Sequence, residues 1–100
     1  MNGVRGEVGL ELEGRVCRMC LTLGALAEIE TALGVGSLAE LQARLPRLSA
    51  RDLTALAAAL LRGGGEVEMA ARLPSLAVTP ARVADAVARA FLTALDGETP

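Results

Sequence analysis

Residues 8–19 constrain the fold more than any other stretch of this sequence. Val8, Leu10 and Leu12 alternate with Gly9, Glu11 and Glu13, the period-2 pattern of a half-buried strand. Glu13-Gly14 then supplies a two-residue turn, and glycine tolerates the positive φ that such turns need. With those two residues at the tip, Leu12 faces Arg15, Leu10 faces Cys17 and Val8 faces Met19. One face then carries Val8, Leu10, Cys17, Met19 and Leu21, and the other Glu7, Glu11 and Arg18. A hairpin over about residues 6–21 follows, and its apolar face needs a cover.

The next residues supply the cover. Thr22 is a suitable N-cap, and Leu23, Leu26, Ile29 and Leu33 recur at helical spacing up to Gly34, a C-cap glycine with Val35 beyond it. Ser37 and Glu40 have capping-box spacing ahead of Leu38, Leu41 and Leu45, and Pro46 stops that helix. Ser49 and Asp52 open a helix lined by Leu53, Leu56, Ala57, Leu60 and Leu61, which ends in Gly63-Gly64-Gly65. Residues 66–72 form a short helix at most before Pro74. Thr79-Pro80 starts a last helix with Val83, Val87, Phe91 and Leu95 on its inner face. The expected fold is α+β: the hairpin on three to five helices over about 23–33, 37–45, 50–62, 66–72 and 80–95. Residues 1–100 read as a single domain, with 1–5 and 96–100 as frayed ends and 63–65 as a flexible joint.

Composition narrows function. Phe91 is the only aromatic residue, so the core must rest on close approach of Ala- and Leu-rich segments. All ten cationic residues are arginines, and they are scattered without a basic stripe or interleaved aromatics, which argues against nucleic acid. No stretch is long and apolar enough for a membrane span, and no signal peptide stands at the N-terminus. The expected location is the cytoplasm, with both cysteines reduced.

Chemistry is scarce. There is no histidine. Cys17-Arg18-Met19-Cys20 has the spacing of half a zinc site, but nothing completes four ligands, and positions three apart on a strand point to opposite faces. Cys17 is expected in the core and Cys20 near the strand edge. Glu7, Glu11, Glu13, Glu28 and Glu30 read as a solvated acidic face that helps choose a basic partner. The triple glycine lacks the Lys-Ser/Thr of a phosphate loop. No catalytic, metal or cofactor residue is expected, and the chain reads as a protein-binding module rather than an enzyme.

The order Gly6-Glu7-Val8, Leu10-Glu11-Leu12-Glu13-Gly14-Arg15, then Leu21-Thr22-Leu23-Gly24-Ala25-Leu26-Ala27-Glu28-Ile29-Glu30 and Leu33-Gly34, resembles the small tail protein of gene transfer agents, phage-like particles of alphaproteobacteria. Gly36-Ser37-Leu38, Leu48-Ser49-Ala50-Arg51-Asp52-Leu53 and Leu61-Arg62-Gly63-Gly64-Gly65-Glu66 extend the resemblance over about residues 6–66. It implies a tail assembly chaperone that binds the tape-measure protein during assembly. Alternatives are a structural tube or adaptor component retained in the particle, or a small regulatory binding module unrelated to phage. The expected partner is the tape-measure or another tail protein. An exposed strand edge also favours homo-oligomers. On this reading the partner-binding residues are Leu53, Leu56, Leu60, Met69, Leu73, Val83, Val87 and Phe91.

Overall fold

The computed structural model describes residues 6–96, with side chains through Ala94. Of the frayed ends expected at 1–5 and 96–100, all but residue 96 lie outside the described residues, as does the inward placement of Leu95; the last helix runs through Asp96. Strands β1 (Glu7–Leu12) and β2 (Arg15–Cys20) form an antiparallel hairpin. Its register is the one expected, with Leu12 opposite Arg15, Leu10 opposite Cys17 and Val8 opposite Met19. Glu13 (φ 52°) and Gly14 (φ 79°) both take positive φ, as a type I′ turn requires.

Five α-helices follow: α1 (Leu23–Leu33), α2 (Leu38–Arg44), α3 (Ala50–Gly63), α4 (Val67–Arg72) and α5 (Pro80–Asp96). Single 3₁₀ turns at Leu45–Arg47 and Leu73–Ser75 extend α2 and α4, each with proline inside it. The start signals act as expected. Thr22 Oγ1 accepts from Ala25 N–H, Ser37 Oγ from Glu40 N–H and Ser49 Oγ from Asp52 N–H. Glu40 reaches back to Gly36 N–H at 2.6 Å, one residue beyond the usual capping-box partner. Gly34 closes α1 in the left-handed region, its N–H and that of Val35 both bonding to Glu30 carbonyl.

α3 is the centre of the packing. It touches α1, β2, α4 and α5, while α5 lies along β1. The inner hairpin face (Leu10, Leu12, Cys17 and Met19) joins Ile29, Leu41, Leu56, Leu60, Leu61, Val87 and Phe91 in one apolar core, with no buried polar or charged residue among the described residues.

The triple glycine does something more specific than supply a joint. Gly63 and Gly64 have ordinary negative φ, but a Cβ on Gly63 would stand 2.1 Å from Cys20 carbonyl oxygen, and one on Gly64 2.3 Å from Arg18 carbonyl oxygen. Those two glycines let the end of α3 abut the backbone of β2. Only Gly65 (φ 87°) needs glycine for its conformation.

Glu66 completes this junction. Its carboxylate accepts from Arg18 N–H at 3.0 Å and from Arg15 Nη2 at 3.2 Å. In a hairpin closed by the Leu12–Arg15 pair, the Arg18 and Cys20 backbone groups point out of the ladder. The α3–α4 junction therefore caps the free edge of β2 and blocks strand addition there. These bonds, above all the one from Arg18 N–H, hold the Glu66 carboxyl below the ordinary carboxylate range, against an opposing push from burial. A depressed carboxylate stabilises the fold above its unfolded-state pKa, about 4.3, and loses that contribution as pH falls through the folded-state value. Glu66→Ala should therefore cost about 1 kcal/mol at pH 7, and the gap from wild type should close as pH falls below about 4, read from urea midpoints against pH.

The acidic face is largely satisfied within the chain. Glu13 pairs with Arg72 at 2.7 Å and Glu28 with Arg62 at 3.1 Å, while Glu11 lies 3.9 Å from Arg82. Each pair is exposed, so each contributes little to stability. Together they bring the dispersed arginines over the acidic N-terminal third, which leaves less of it to attract a basic partner.

Candidate functional site

The start of α3, the 3₁₀ turn after α4 and the start of α5 enclose an apolar groove of about 180 Å³. Leu53 and Thr54 form one wall, Leu73, Pro74 and Leu76 the floor, and Val78, Pro80 and Val83 the other wall. Local sequence explains why it stays open. Pro74 ends the short helix run, Leu76 turns to extended backbone, and the chain cannot become helical again before the Thr79-Pro80 start. The bend holds α4 and α5 apart at this point. The volume is below the 300–1,000 Å³ typical of small-molecule sites and suits one or two aliphatic side chains of a docking protein.

Three of the residues expected to bind a partner border this groove: Leu53, Leu73 and Val83. The other five belong elsewhere. Leu56, Leu60, Met69, Val87 and Phe91 are buried in the core, where α3, α4 and α5 pack on one another and on the hairpin. Leu73 and Val83, each 5% exposed, are buried no less than Met69 at 7%, so of the eight only Leu53 is partly open to solvent. In a chain that is 52% apolar, helical spacing finds the inner face of a helix but not which part of it a neighbouring helix already covers. The groove residues missed were Ala50, Thr54, Pro74, Leu76, Val78 and Pro80. Their one sequence signal was the apolar, proline-bracketed run from 73 to 80.

No charged side chain lines the groove. α3 and α5 both direct their N-termini toward it, at Ala50 and Pro80. Helix N-termini carry partial positive charge and unpaired N–H groups. Arg51 follows Ala50 in the chain and Arg47 precedes it in the 3₁₀ turn, but neither lines the groove. Among the described residues neither has a carboxylate in ion-pair contact, whereas Arg44 is held by Asp52 at 3.1 Å.

Two other depressions are larger, a cleft of about 410 Å³ at the hairpin tip and one of about 480 Å³ over α1. The cleft, between the hairpin tip and residues 76–79, is lined by Glu11, Glu13, Thr79 and Arg82, whose charges face one another. Val16, Leu23, Val67 and Leu92 are exposed singly. No three His, Cys, Asp or Glu side chains gather as a metal site among the described residues. No helix among them is long and apolar enough to cross a membrane.

Cys17 is fully buried on the inner face of β2 and Cys20 half-buried on the outer face. Burial pushes both thiols above their ordinary value, with Glu7 adding to the effect at Cys20. Thiolate is the reactive form. Native protein at pH 7 should therefore label slowly with iodoacetamide at Cys20 and not at Cys17. Mass mapping of the labelled sites, with urea-unfolded protein as the fast control, checks this.

Residues 5–97 match the family described as phage tail tube protein, GTA-gp10. No curated protein and no solved structure matches the chain.

Proposed function

The chain belongs to this phage tail tube family of the gene transfer agent type, and from that membership we propose that it is a non-enzymatic structural subunit retained in the tail of a phage-like particle. The observation that carries the reading is a family match over nearly the whole chain, hairpin and all five helices included. The geometry supports it. The core is closed and wholly apolar, the edge of β2 is capped, and the groove at the start of α3 and α5 offers a side-chain-sized contact for a neighbouring tail protein. Such a subunit is made in the cytoplasm of the producing cell and leaves it with the particle.

A second reading, a chaperone that holds the tape-measure protein and departs before the tail is complete, draws support from the same groove. An open apolar contact with no aromatic anchor suits reversible capture of a segment. The two readings part at the finished particle. An epitope-tagged copy of the chain should co-sediment with purified, nuclease-treated particles if it is a tail subunit. Tag confined to the soluble fraction of the producing cells would overturn the structural reading in favour of the chaperone.

A further inference from the structure

We infer that the open edge of β1 takes an extended segment of another protein as a third, antiparallel strand, and that Glu7 and Glu11 select a segment with basic residues four positions apart. The inference goes beyond the particle reading, and it holds whether the chain stays in the tail or leaves it.

The two edges of the hairpin differ. In the observed register the backbone groups of Glu7, Gly9 and Glu11 on β1, and of Val16, Arg18 and Cys20 on β2, point out of the ladder. On β2 those groups meet the α3–α4 junction. Glu66 accepts from Arg18 N–H, and Gly63 and Gly64 lie against the Cys20 and Arg18 carbonyls. Among the described residues nothing comparable covers β1, and no group accepts from the outward N–H of Glu7, Gly9 or Glu11.

What reaches the β1 edge from α5 is the ends of two exposed side chains. Arg89 Nη2 donates to the Gly9 carbonyl at 3.3 Å, and Arg82 stands 3.9 Å from Glu11. Asp85 already holds Arg89 at 2.9 Å, so Arg89 can yield the carbonyl and keep a partner. The ligand that matches a row of free backbone groups is another extended backbone. A two-stranded hairpin also gains stability from a third strand. At the tip the edge runs into the cleft of about 410 Å³ beside residues 76–79, which gives an added strand room to continue past Glu11.

Charge chooses among strands. Glu7, Gly9 and Glu11 alternate with the core-facing residues of β1 and so share its outer face. A strand pairing antiparallel about Gly9 sets one residue beside each carboxylate, and those two residues are four apart. A second copy of β1 would bring Glu11 against Glu7 at both positions, like charge opposite like charge. Lysine or arginine at both positions makes two cross-strand ion pairs instead. Glu13 and Glu28 are already held at 2.7 and 3.1 Å. Glu11 has its arginine at 3.9 Å, and Glu7 has no cation in ion-pair contact among the described residues.

Titrating the ¹⁵N-labelled full chain with the capped peptide Lys-Val-Thr-Val-Lys, flanked by threonines, tests this by NMR. The amides of Glu7, Gly9 and Glu11 should shift and gain exchange protection at one peptide per chain, and the Arg18 amide should not. Replacing both lysines by glutamate should weaken binding about tenfold or more, the worth of two cross-strand pairs turned repulsive. The double variant Glu7→Lys/Glu11→Lys should reverse that preference. Both positions lie outside the core, so circular dichroism should show unchanged folding. N-methylation separates strand addition from charge attraction. On the lysines and the central threonine, whose N–H groups would face β1, it should abolish binding. On the two valines it should not.

No shift on β1 at millimolar peptide would overturn the proposal. So would equal binding of the lysine and glutamate peptides, or binding that survives methylation of the facing amides. Self-association of the chain through β1 would also overturn it, since the carboxylates would then not exclude a second copy.

Discussion

Gly63→Ala should lower the melting temperature by about 10–20 °C, a loss of about 2–3 kcal/mol for a domain of this size. The sign is the informative part. Gly63 is the last residue of α3 and has ordinary helical backbone. At such a position alanine normally stabilises by about 0.4–1 kcal/mol, by reducing the freedom of the unfolded chain. Here the added methyl would stand 2.1 Å from Cys20 carbonyl oxygen and 3.3 Å from Ala25 Cβ. The first neighbour is backbone in the hairpin, so nothing flexible can swing aside, and β2 must move off α3. Gly64→Ala should behave alike, with Arg18 carbonyl oxygen at 2.3 Å. Gly65→Ala would meet only the far end of the Arg18 side chain, at 3.8 Å, but has a left-handed backbone, and should cost only about 1–2 kcal/mol. Thermal melts of the three variants check the order. Equal small effects at all three would mean that the triple glycine is a loose joint and that β2 does not rest on it.

Phe91→Ala should cost about 3–5 kcal/mol, read as a shifted urea midpoint with little change in slope. Phe91 is 2% exposed on the inner face of α5, the helix that lies along β1. In a chain with no other aromatic residue, its ring fills volume that alanines and leucines nearby cannot fill by relaxing. Small domains have about 5–15 kcal/mol to lose, so this variant should be marginal at 37 °C. Phe91→Leu keeps much of the volume and should cost no more than about 1.5 kcal/mol. Leu53→Ala, at the half-buried groove wall, should cost less than Phe91→Ala because solvent already reaches the site. If Leu53→Ala proved the more costly, the division between groove and core drawn above would be reversed.

The hairpin was readable because its pattern is local. Period-2 alternation fixes the faces, Glu13-Gly14 fixes the turn, and the two together fix the register. The helix starts were readable for the same reason, since Thr22, Ser37 and Ser49 cap N–H groups only three residues away. Contacts distant in sequence were not. Gly63 against Cys20, and Glu66 against Arg18, join segments more than forty residues apart, and no spacing rule announces them. The groove failed to show for a related reason. Its two walls come from residues 50–54 and 73–83, and what separates Leu53 from Leu56 is whether a neighbouring helix lies above it. An alanine- and leucine-rich composition removes the contrast that would normally mark that difference.

The central claim is that this tail protein remains in the particle. Quantitative mass spectrometry of purified particles, with isotope-labelled peptides of this chain and of the capsid subunit, measures its copy number directly. A structural tail subunit should be present at several copies per particle, constant between preparations. Fewer than one copy per particle, beside abundant chain in the lysate of the same cells, would contradict the account.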